Sequence, residues 1–309
     1  MKSGGEKLSN STMTQNSCLI CKGTSIQELY RCNDHFVSGE LFSVVTCQEC
    51  GFTFTEDPPS ESVIGLYYKS DSYISHSDSK KGLVNKLYHL ARSYMLRRKW
   101  KTIESQTGLS TGKLLDIGCG TGYFLNYMQQ KGWDVSGIEK DSGAREYAST
   151  IMKVDVSDQE KLNGLGESIY DCITLWHVLE HFHNPDTILE TIHRSLTNSG
   201  IAVIAVPNMS SFDAKHYGPH WAAWDVPRHL WHFTPETISL LLKRHNMEIV
   251  STRRLPFDSF YVSLLSEQYK RGKPALIKGL FWGKLSWLNA IFKKNQTSSL
   301  VYIIKKIDD

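Results

Sequence analysis

The chain has 309 residues, 40% of them hydrophobic; a packed core is within reach and global disorder is excluded. The net charge of +3 argues against a surface built for nucleic acid, and no apolar run approaches the roughly 20 residues of a membrane span. Seven cysteines, an odd number, and an opening without an apolar stretch imply a reducing, cytoplasmic setting in which thiols serve as ligands or buried apolar groups.

Residues 1–17 are polar and read as a disordered tail. Residues 18–55 read as a zinc-ribbon-like segment. Cys18-x-x-Cys21 and Cys47-x-x-Cys50 are separated by 25 residues, and each pair lies in a turn-like setting, Cys21-Lys22-Gly23 and Cys50-Gly51. Two such knuckles present four thiolates at the spacing a tetrahedral zinc ion takes. Two disulfides or four free thiols are the alternatives, and the implied compartment favours zinc. Four cysteine ligands leave no open position for catalysis, so the ion is expected to be structural. Leu41–Thr46 is expected as a strand leading into the second knuckle, and Cys32 as a bystander.

Residues 56–110 are expected as a helical connector or cap. Glu56-Asp57-Pro58-Pro59-Ser60 is a turn, and Ser60 caps a short helix carrying Val63, Ile64, Leu66 and Tyr67. Lys69–Gly82, rich in Ser, Asp and Tyr, reads as a mobile surface loop. Leu83, Leu87, Leu90, Tyr94 and Ile103 then recur at helical spacing between basic residues; the helix is expected to pack against the next domain, over its ligand, with a merely solvated basic face as the alternative.

Residues 111–309 carry the main pattern. Lys113–Ile117 is a short buried strand that runs into Gly118-Cys119-Gly120-Thr121-Gly122 and then into a helix over Tyr123–Lys131. Strand, glycine loop and helix let backbone approach a nucleotide-like ligand closely. A second strand, Asp134–Glu139, ends in a carboxylate 21 residues after Gly118, where an acid accepts hydrogen bonds from ribose hydroxyls. Tyr123 stands where a dinucleotide fingerprint wants its third glycine. Asp116, at the strand end, would meet a cationic ligand rather than a pyrophosphate. No Gly-Lys-Ser or Gly-Lys-Thr follows, which excludes a phosphate-cradling P-loop.

The run Leu114-Leu115-Asp116-Ile117-Gly118-Cys119-Gly120-Thr121-Gly122, with Glu139 ending the next strand, resembles the class I S-adenosylmethionine-dependent methyltransferases over residues 83–255 and a final strand near 300–305. The resemblance implies an α/β fold with a doubly wound, Rossmann-like sheet of seven strands. It implies that Asp116, Gly118, Cys119, Gly120 and Gly122 hold the methionine portion and that Glu139 holds the ribose. Asp155, in Val154-Asp155-Val156, would meet the adenine amino group. Trp176, at the end of the fourth strand, is a further expected cofactor contact.

Tyr170–Trp176 is a nearly continuous apolar strand, as a central parallel strand should be, and it ends in His177-Val178-Leu179-Glu180-His181-Phe182-His183. Asn184-Pro185-Asp186 then caps a helix whose inward side is Ile188, Leu189, Ile192 and Leu196. The string from Tyr170 to Pro185 is similar to that of ubiquinone-biosynthesis-type O-methyltransferases. Some of those carry an acid three residues before the Glu-His pair and use the trio to hold a divalent ion. Here that first position is His177. The three histidines and Glu180 at this strand end are candidates for a general base or for a metal site, with His181 and His177 the base candidates and bracing of the loop by Glu180 and His181 as the plainer alternative.

After a fifth strand, Gly200–Asn208, comes a second cluster: His216, His220, Trp221, Trp224, Asp225, Arg228, His229, Trp231 and His232. Its density of Trp and His suits the wall of an aromatic or lipid-like acceptor pocket, although packed core tryptophans would give the same composition. Asp225-Val226-Pro227-Arg228-His229 resembles a stretch in zinc-ribbon-bearing methyltransferases, and His229 is the third base candidate.

An insertion at about 259–297 separates a sixth strand near Glu248–Thr252 from the last, Leu300–Ile304. From Arg253 to Lys294 there are nine basic and two acidic residues, or +7, leaving −4 for the rest of the chain. Within Ala275–Phe292, Ile277, Leu280, Phe281, Leu285, Leu288, Ile291 and Phe292 fall on one helical side, while Gly279 and Gly283 weaken the helix. The face is either a surface for anionic membrane or a lipid-linked acceptor, or a cover burying its apolar side on the sheet domain or in a dimer. The usual fate of amphipathic helices favours the cover.

The expected activity is methyl transfer from S-adenosylmethionine to a small-molecule acceptor, with a hydroxyl of an aromatic, sugar or lipid-like metabolite in view. No nucleic-acid partner is expected. An NAD-dependent oxidoreductase and a non-catalytic zinc-ribbon binding module are the alternatives. Neither the methylated atom nor the oligomeric state is selected by the sequence.

Overall fold

The computed structural model describes residues 17–68, 83–255 and 257–307, with side chains in the second stretch described from His89 onward. The expected disordered tail, apart from Ser17, and the expected mobile loop Lys69–Gly82 lie outside the described residues, as do the side chains of Leu83 and Leu87.

In chain order the elements begin with strands β1 (Ile26–Asn33), β2 (Leu41–Cys47) and β3 (Thr53–Thr55) and the helix α1 (Leu83–Thr107). They continue with β4 (Lys113–Ile117), α2 (Tyr123–Gln130), β5 (Asp134–Ile138), α3 (Ser142–Thr150) and β6 (Asp155–Ser157). Next come β7 (Tyr170–Trp176), α4 (Pro185–Ser195), β8 (Leu196–Pro207), α5 (Phe212–Tyr217), β9 (Trp231–His232) and α6 (Pro235–Lys243). The chain closes with β10 (Met247–Arg254), α7 (Asp258–Arg271), α8 (Leu276–Phe292) and β11 (Ser299–Lys306). The helix expected after Ser60 is a 3₁₀ turn, Ile64–Tyr68.

Close contacts divide the described chain into two units, both discontinuous in sequence. One gathers Met1–His76, Pro207–Ile238 and Leu255–Ser299; the other gathers Ser77–Val206, Ser239–Arg254 and Leu300–Asp309. The units thus cut the chain differently from the linear boundaries at 55/56 and 110/111. Pairing between strands far apart in sequence, rather than sequence order, decides which segments share a core.

The second unit is built on a seven-stranded sheet of order β10-β11-β8-β7-β4-β5-β6. Pairs β4–β5, β4–β7, β5–β6 and β7–β8 are parallel, and β10–β11 is antiparallel. Leu114, Leu115 and Ile117 of β4, Ile173 and Leu175 of β7 and Ile201–Val206 of β8 are all buried, as continuous apolar runs in parallel strands require. The connecting helices start at local signals. Asp141 accepts from Ala144 N at 2.7 Å to cap α3, and Asn184 accepts from Thr187 N at 3.3 Å with Pro185 in the first turn of α4. The strand order reverses at β4, which has β5 on one side and β7 on the other. Ligands in open α/β sheets bind at such a switch point, outside the carboxyl ends of the strands.

The first unit holds a four-stranded antiparallel sheet of order β1-β2-β3-β9. Thr53 pairs with His232 and Phe54 with Trp231. Phe52, Phe54, Trp231 and Phe233 are buried, and the Phe52 and Trp231 rings stack at 5.8 Å. A second apolar cluster contains Cys32, Val44, Tyr217, Trp221 and Trp224. The tryptophans expected as a pocket wall are therefore core residues. Arg228, 2% exposed, is buried in the same unit. Its guanidinium donates to Asp34 at 3.0 Å, to Asp225 at 2.7 Å and to the Tyr67 carbonyl at 2.8 Å.

The insertion folds as the helical pair α7 and α8, and here the expected cover is turned round. The residues α8 buries are Gly279, Gly283, Ser286 and Ala290, while Ile277, Leu280, Phe281, Ile291 and Phe292 are exposed. The glycines are the packing surface: a Cβ at Gly279 would lie 2.7 Å from Leu264 Cα, and one at Gly283 would lie 2.8 Å from Phe260 Cα. Only glycine lets the two helices approach so closely.

Candidate functional site

In the sheet unit, the carboxyl ends of β4, β5 and β7 gather most of the expected residues. Asp116, the penultimate residue of β4, is 2% exposed and accepts from Thr174 Oγ1 at 2.6 Å. Burial pushes its carboxyl up to about 7. The Thr174 hydrogen bond and the charge of Lys99 oppose that rise, and the charge of Glu139 adds to it.

The loop that follows takes left-handed backbone at Gly118, Gly120 and Gly122, with φ of 71°, 55° and 78°. The three glycines serve different ends. A Cβ at Gly118 would lie 2.5 Å from Val178 Cγ2, and one at Gly122 would lie 2.9 Å from Ala148 Cβ; at Gly120 it would meet nothing within 4 Å. Packing thus demands the outer two, while the middle one faces open space. Glu139, the residue after β5, seats itself on this loop by accepting from Gly120 N at 2.8 Å and from Asp141 N at 2.9 Å. Cys119 is half-buried with its thiol held protonated, chiefly by burial and then by the charges of Asp116 and Glu139. Gly137 leaves room for it, since a Cβ there would lie 2.7 Å from Cys119 Sγ.

Trp176 ends β7 with its ring edge-on to Phe124 at 5.7 Å, and its indole nitrogen is buried without a hydrogen-bond partner among the described residues. Lys99 Nζ stands 3.9 Å from the centre of the Trp176 ring, a cation–π geometry. His177 follows with φ of 59°, and its N–H donates to the Ala205 carbonyl at 2.9 Å. A left-handed conformation at a non-glycine residue is costly and marks a position held by its surroundings. His177 Nδ1 lies 3.5 Å from Oε1 of Glu180, whose side chain is fully buried while that of His177 is 37% exposed. His181 closes the 3₁₀ turn Leu179–His181 and is half-buried.

One expected residue stands elsewhere. Asp155 begins β6, exposed, and pairs with Ser136; the strand register puts Ile138 beside Ser157. Hence Asp158, not Asp155, follows the carboxyl end of β6, next to Glu139, where it binds Arg145 at 2.7 Å. His229 belongs to the first unit, where its Nδ1 is 2.9 Å from the Ala223 carbonyl. Close by, buried His232 is held neutral, its basicity lowered chiefly by burial, and its Nε2 lies 3.1 Å from Thr55 Oγ1.

The four knuckle cysteines converge in the first unit, with ligand atoms all within 4.8 Å of one another. Cys18 and Cys50 sulfurs are 3.4 Å apart and those of Cys21 and Cys47 are 3.5 Å apart. A zinc ion with Zn–S bonds of about 2.3 Å sets tetrahedral sulfurs about 3.8 Å apart, so the donor set and its spacing fit that ion. The turns supply the rest: Lys22 and Gly51 have positive φ, and Gly23 N donates to Cys21 Sγ at 3.4 Å.

A methyltransferase-domain family matches residues 88–252, more than half of the chain. The chain belongs to this family. The matched stretch holds all of β4–β8 with the glycine loop and Glu139, and the sheet is that of the class I S-adenosylmethionine-dependent type. Among curated relatives, a ubiquinone biosynthesis O-methyltransferase of Psychrobacter cryohalolentis is 28% identical over 39% of this chain and 49% of its own length. One from Rickettsia bellii is 22% identical over 60% of this chain and 82% of its own. The chain thus spans about half the length of the first of these relatives. A solved S-adenosylmethionine-dependent methyltransferase of Archaeoglobus fulgidus overlays on 70% of this chain and 94% of its own, with 19% identity and a TM-score of 0.45.

In this methyltransferase sheet the sequence left three residues without a part. Lys99 was concealed among the many basic residues of its helix. Thr174 was one of several β-strand residues, and Asp158 was hidden by the uncertain end of β6. Only the strand register and the packing of α1 single them out.

Proposed function

We propose that this protein transfers the methyl group of S-adenosylmethionine to a hydroxyl of a small-molecule acceptor. The observation that carries the proposal is the meeting of a buried carboxylate, an open glycine loop and a histidine–carboxylate pair at the carboxyl ends of β4, β5 and β7. Asp116 and the loop Gly118–Gly122, with Cys119 and Trp176 beside it, would hold the methionine portion. Glu139 would accept from the ribose hydroxyls and Asp158 from the adenine amino group. When bound, S-adenosylmethionine supplies an electrophilic methyl group on a sulfonium.

The remaining work is positioning and proton removal. His177, with Nδ1 toward the Glu180 carboxylate, keeps Nε2 as the acceptor nitrogen, and Glu180 holds the ring's orientation and stabilises its charge once protonated. His181 and His229 are the other two candidates for that proton. Similarity to the ubiquinone biosynthesis O-methyltransferases supports oxygen as the methylated atom. Cys18, Cys21, Cys47 and Cys50 would hold one structural zinc ion. Seven cysteines outside any disulfide among the described residues, four of them at the proposed zinc site, suit a cytoplasmic setting.

The test is calorimetric titration of the purified protein, first checked for one zinc ion per chain, with S-adenosylmethionine and with NADH as control. Binding of S-adenosylmethionine that is lost in Asp116→Ala and Glu139→Ala is expected. Saturation by NADH alone, or by neither ligand, would overturn the proposal. With an acceptor in hand, His177→Ala should cut turnover while cofactor affinity is kept.

A further inference from the structure

The helical pair α7–α8 is inside out for a water-soluble cover. The buried face of α8 is made of small residues, and its outer face carries large apolar ones: Ile277 is 84% exposed and Phe292 is 85% exposed, with Phe281 on the same side of the helix. An exposed apolar patch of this kind marks an interaction surface rather than chance. The close glycine-mediated contact with Leu264 and Phe260 fixes α8 in this orientation, because rotating the apolar side inward would drive bulky side chains into the backbone of α7.

The charge around that face says what covers it. From Gln268 to Ser299 the chain has seven Lys and Arg and no Asp or Glu. Lys278 and Lys284 are exposed on α8 itself, with Lys293 and Lys294 directly after it. We propose that the outer face of α7–α8 docks this protein on an anionic lipid surface, lying in the plane of the interface. Apolar and aromatic side chains would enter the boundary between headgroups and acyl chains, while the lysines extend their stems to anionic headgroups. At 17 residues, α8 is about 25 Å long, short of the roughly 30 Å hydrocarbon core. No helix among the described residues is long and apolar enough to cross a membrane, so the pair lies on the bilayer. A second copy is the weaker occupant: two-fold pairing of this face would set its lysines against the same lysines, with no acid in the segment to answer them.

The experiment is co-sedimentation of the full chain, without cofactor, with vesicles of phosphatidylglycerol and phosphatidylcholine or of phosphatidylcholine alone. Binding to the anionic vesicles only, weakening as salt rises, is expected. K278Q/K284Q should weaken it about thirtyfold, at about fivefold per lysine. F281S/F292S should weaken it at least tenfold, with thermal melting unchanged because both positions are exposed. A chain that stays in the supernatant with anionic vesicles overturns the proposal, as does equal binding of F281S/F292S. Sedimentation velocity showing a dimer that F281S/F292S disperses would assign the face to a second copy instead. Because the readout is lipid association, failure of methyl transfer leaves it intact.

Discussion

Asp116 carries a testable conflict between stability and ligand binding. Its carboxyl is buried, has one hydrogen bond from Thr174, and is pushed up to about 7. In the folded ligand-free protein it therefore keeps its proton in a pH range where the unfolded chain has released it. The folded state then binds more protons than the unfolded one, so stability falls as pH rises between about 4 and 7. Above that window the full penalty applies, about 4 kcal/mol as an upper figure for a shift of this size. Asp116→Asn removes the charge and keeps an oxygen for Thr174 to donate to. The variant should be more stable than the parent at pH 8 by about 2–4 kcal/mol, and the gain should vanish by pH 4–5. Urea unfolding across that pH range, without ligand, measures this. The same variant should lose S-adenosylmethionine binding, since an amide cannot counter an ammonium group. A variant less stable at pH 8, or a stability difference that ignores pH, would refute the account of Asp116 as a desolvated carboxylate.

Three further outcomes follow from the geometry. Gly120→Ala should cost only about 1 kcal/mol of stability, the left-handed backbone penalty, yet lower cofactor affinity by at least tenfold, because its Cβ would enter the open space over the loop. Gly118→Ala adds a clash with Val178 and should cost about 2–4 kcal/mol in thermal unfolding. Arg228→Met leaves Asp34 and Asp225 without their cation and should cost about 3–5 kcal/mol in urea unfolding; Arg228→Lys should not restore it, because an ammonium cannot reproduce the three-way fork.

The strand–loop–helix at Lys113–Gln130 and the apolar run of β7 were legible because glycine spacing and unbroken hydrophobicity are local signals. The helix start at Asn184 was legible for the same reason. β1, with the sequence Ile26-Gln27-Glu28-Leu29-Tyr30-Arg31-Cys32-Asn33, carries little apolar character and was overlooked. β9 is two residues long and owes its existence to β3, so nothing near it in the chain announces a strand. Trp221 and Trp224 mislead because a core and a pocket wall have the same composition. Asp155 was read as belonging to the strand's functional end because local pattern does not say where a strand stops; the pairing of Ile138 with Ser157 puts that end at Ser157, just before Asp158. On α8, Gly279 and Gly283 looked like defects in a helix whose apolar side must face inward, when they are the side that packs. In Asp225–His229 the residue with the clearest structural part is Arg228, whose partners Asp34 and Tyr67 are far upstream.

The hydrogen bond from Thr55 to the His229 carbonyl spans 174 residues of sequence, and β3 has no outer neighbour until β9 has been made. At a synthesis rate of about 5–20 residues per second, the cysteine-rich segment waits roughly ten to thirty-five seconds for the strand that completes its sheet. Over that interval Phe52 and Phe54 lack their aromatic partners Trp231 and Phe233. The two knuckles, by contrast, close over only 33 residues from Cys18 to Cys50 and can form as soon as they leave the ribosome. For this chain the thiols are an early event and their sheet a late one; a shortened protein that ends before residue 231 should emerge with a sticky, unfinished edge, even though every cysteine is present.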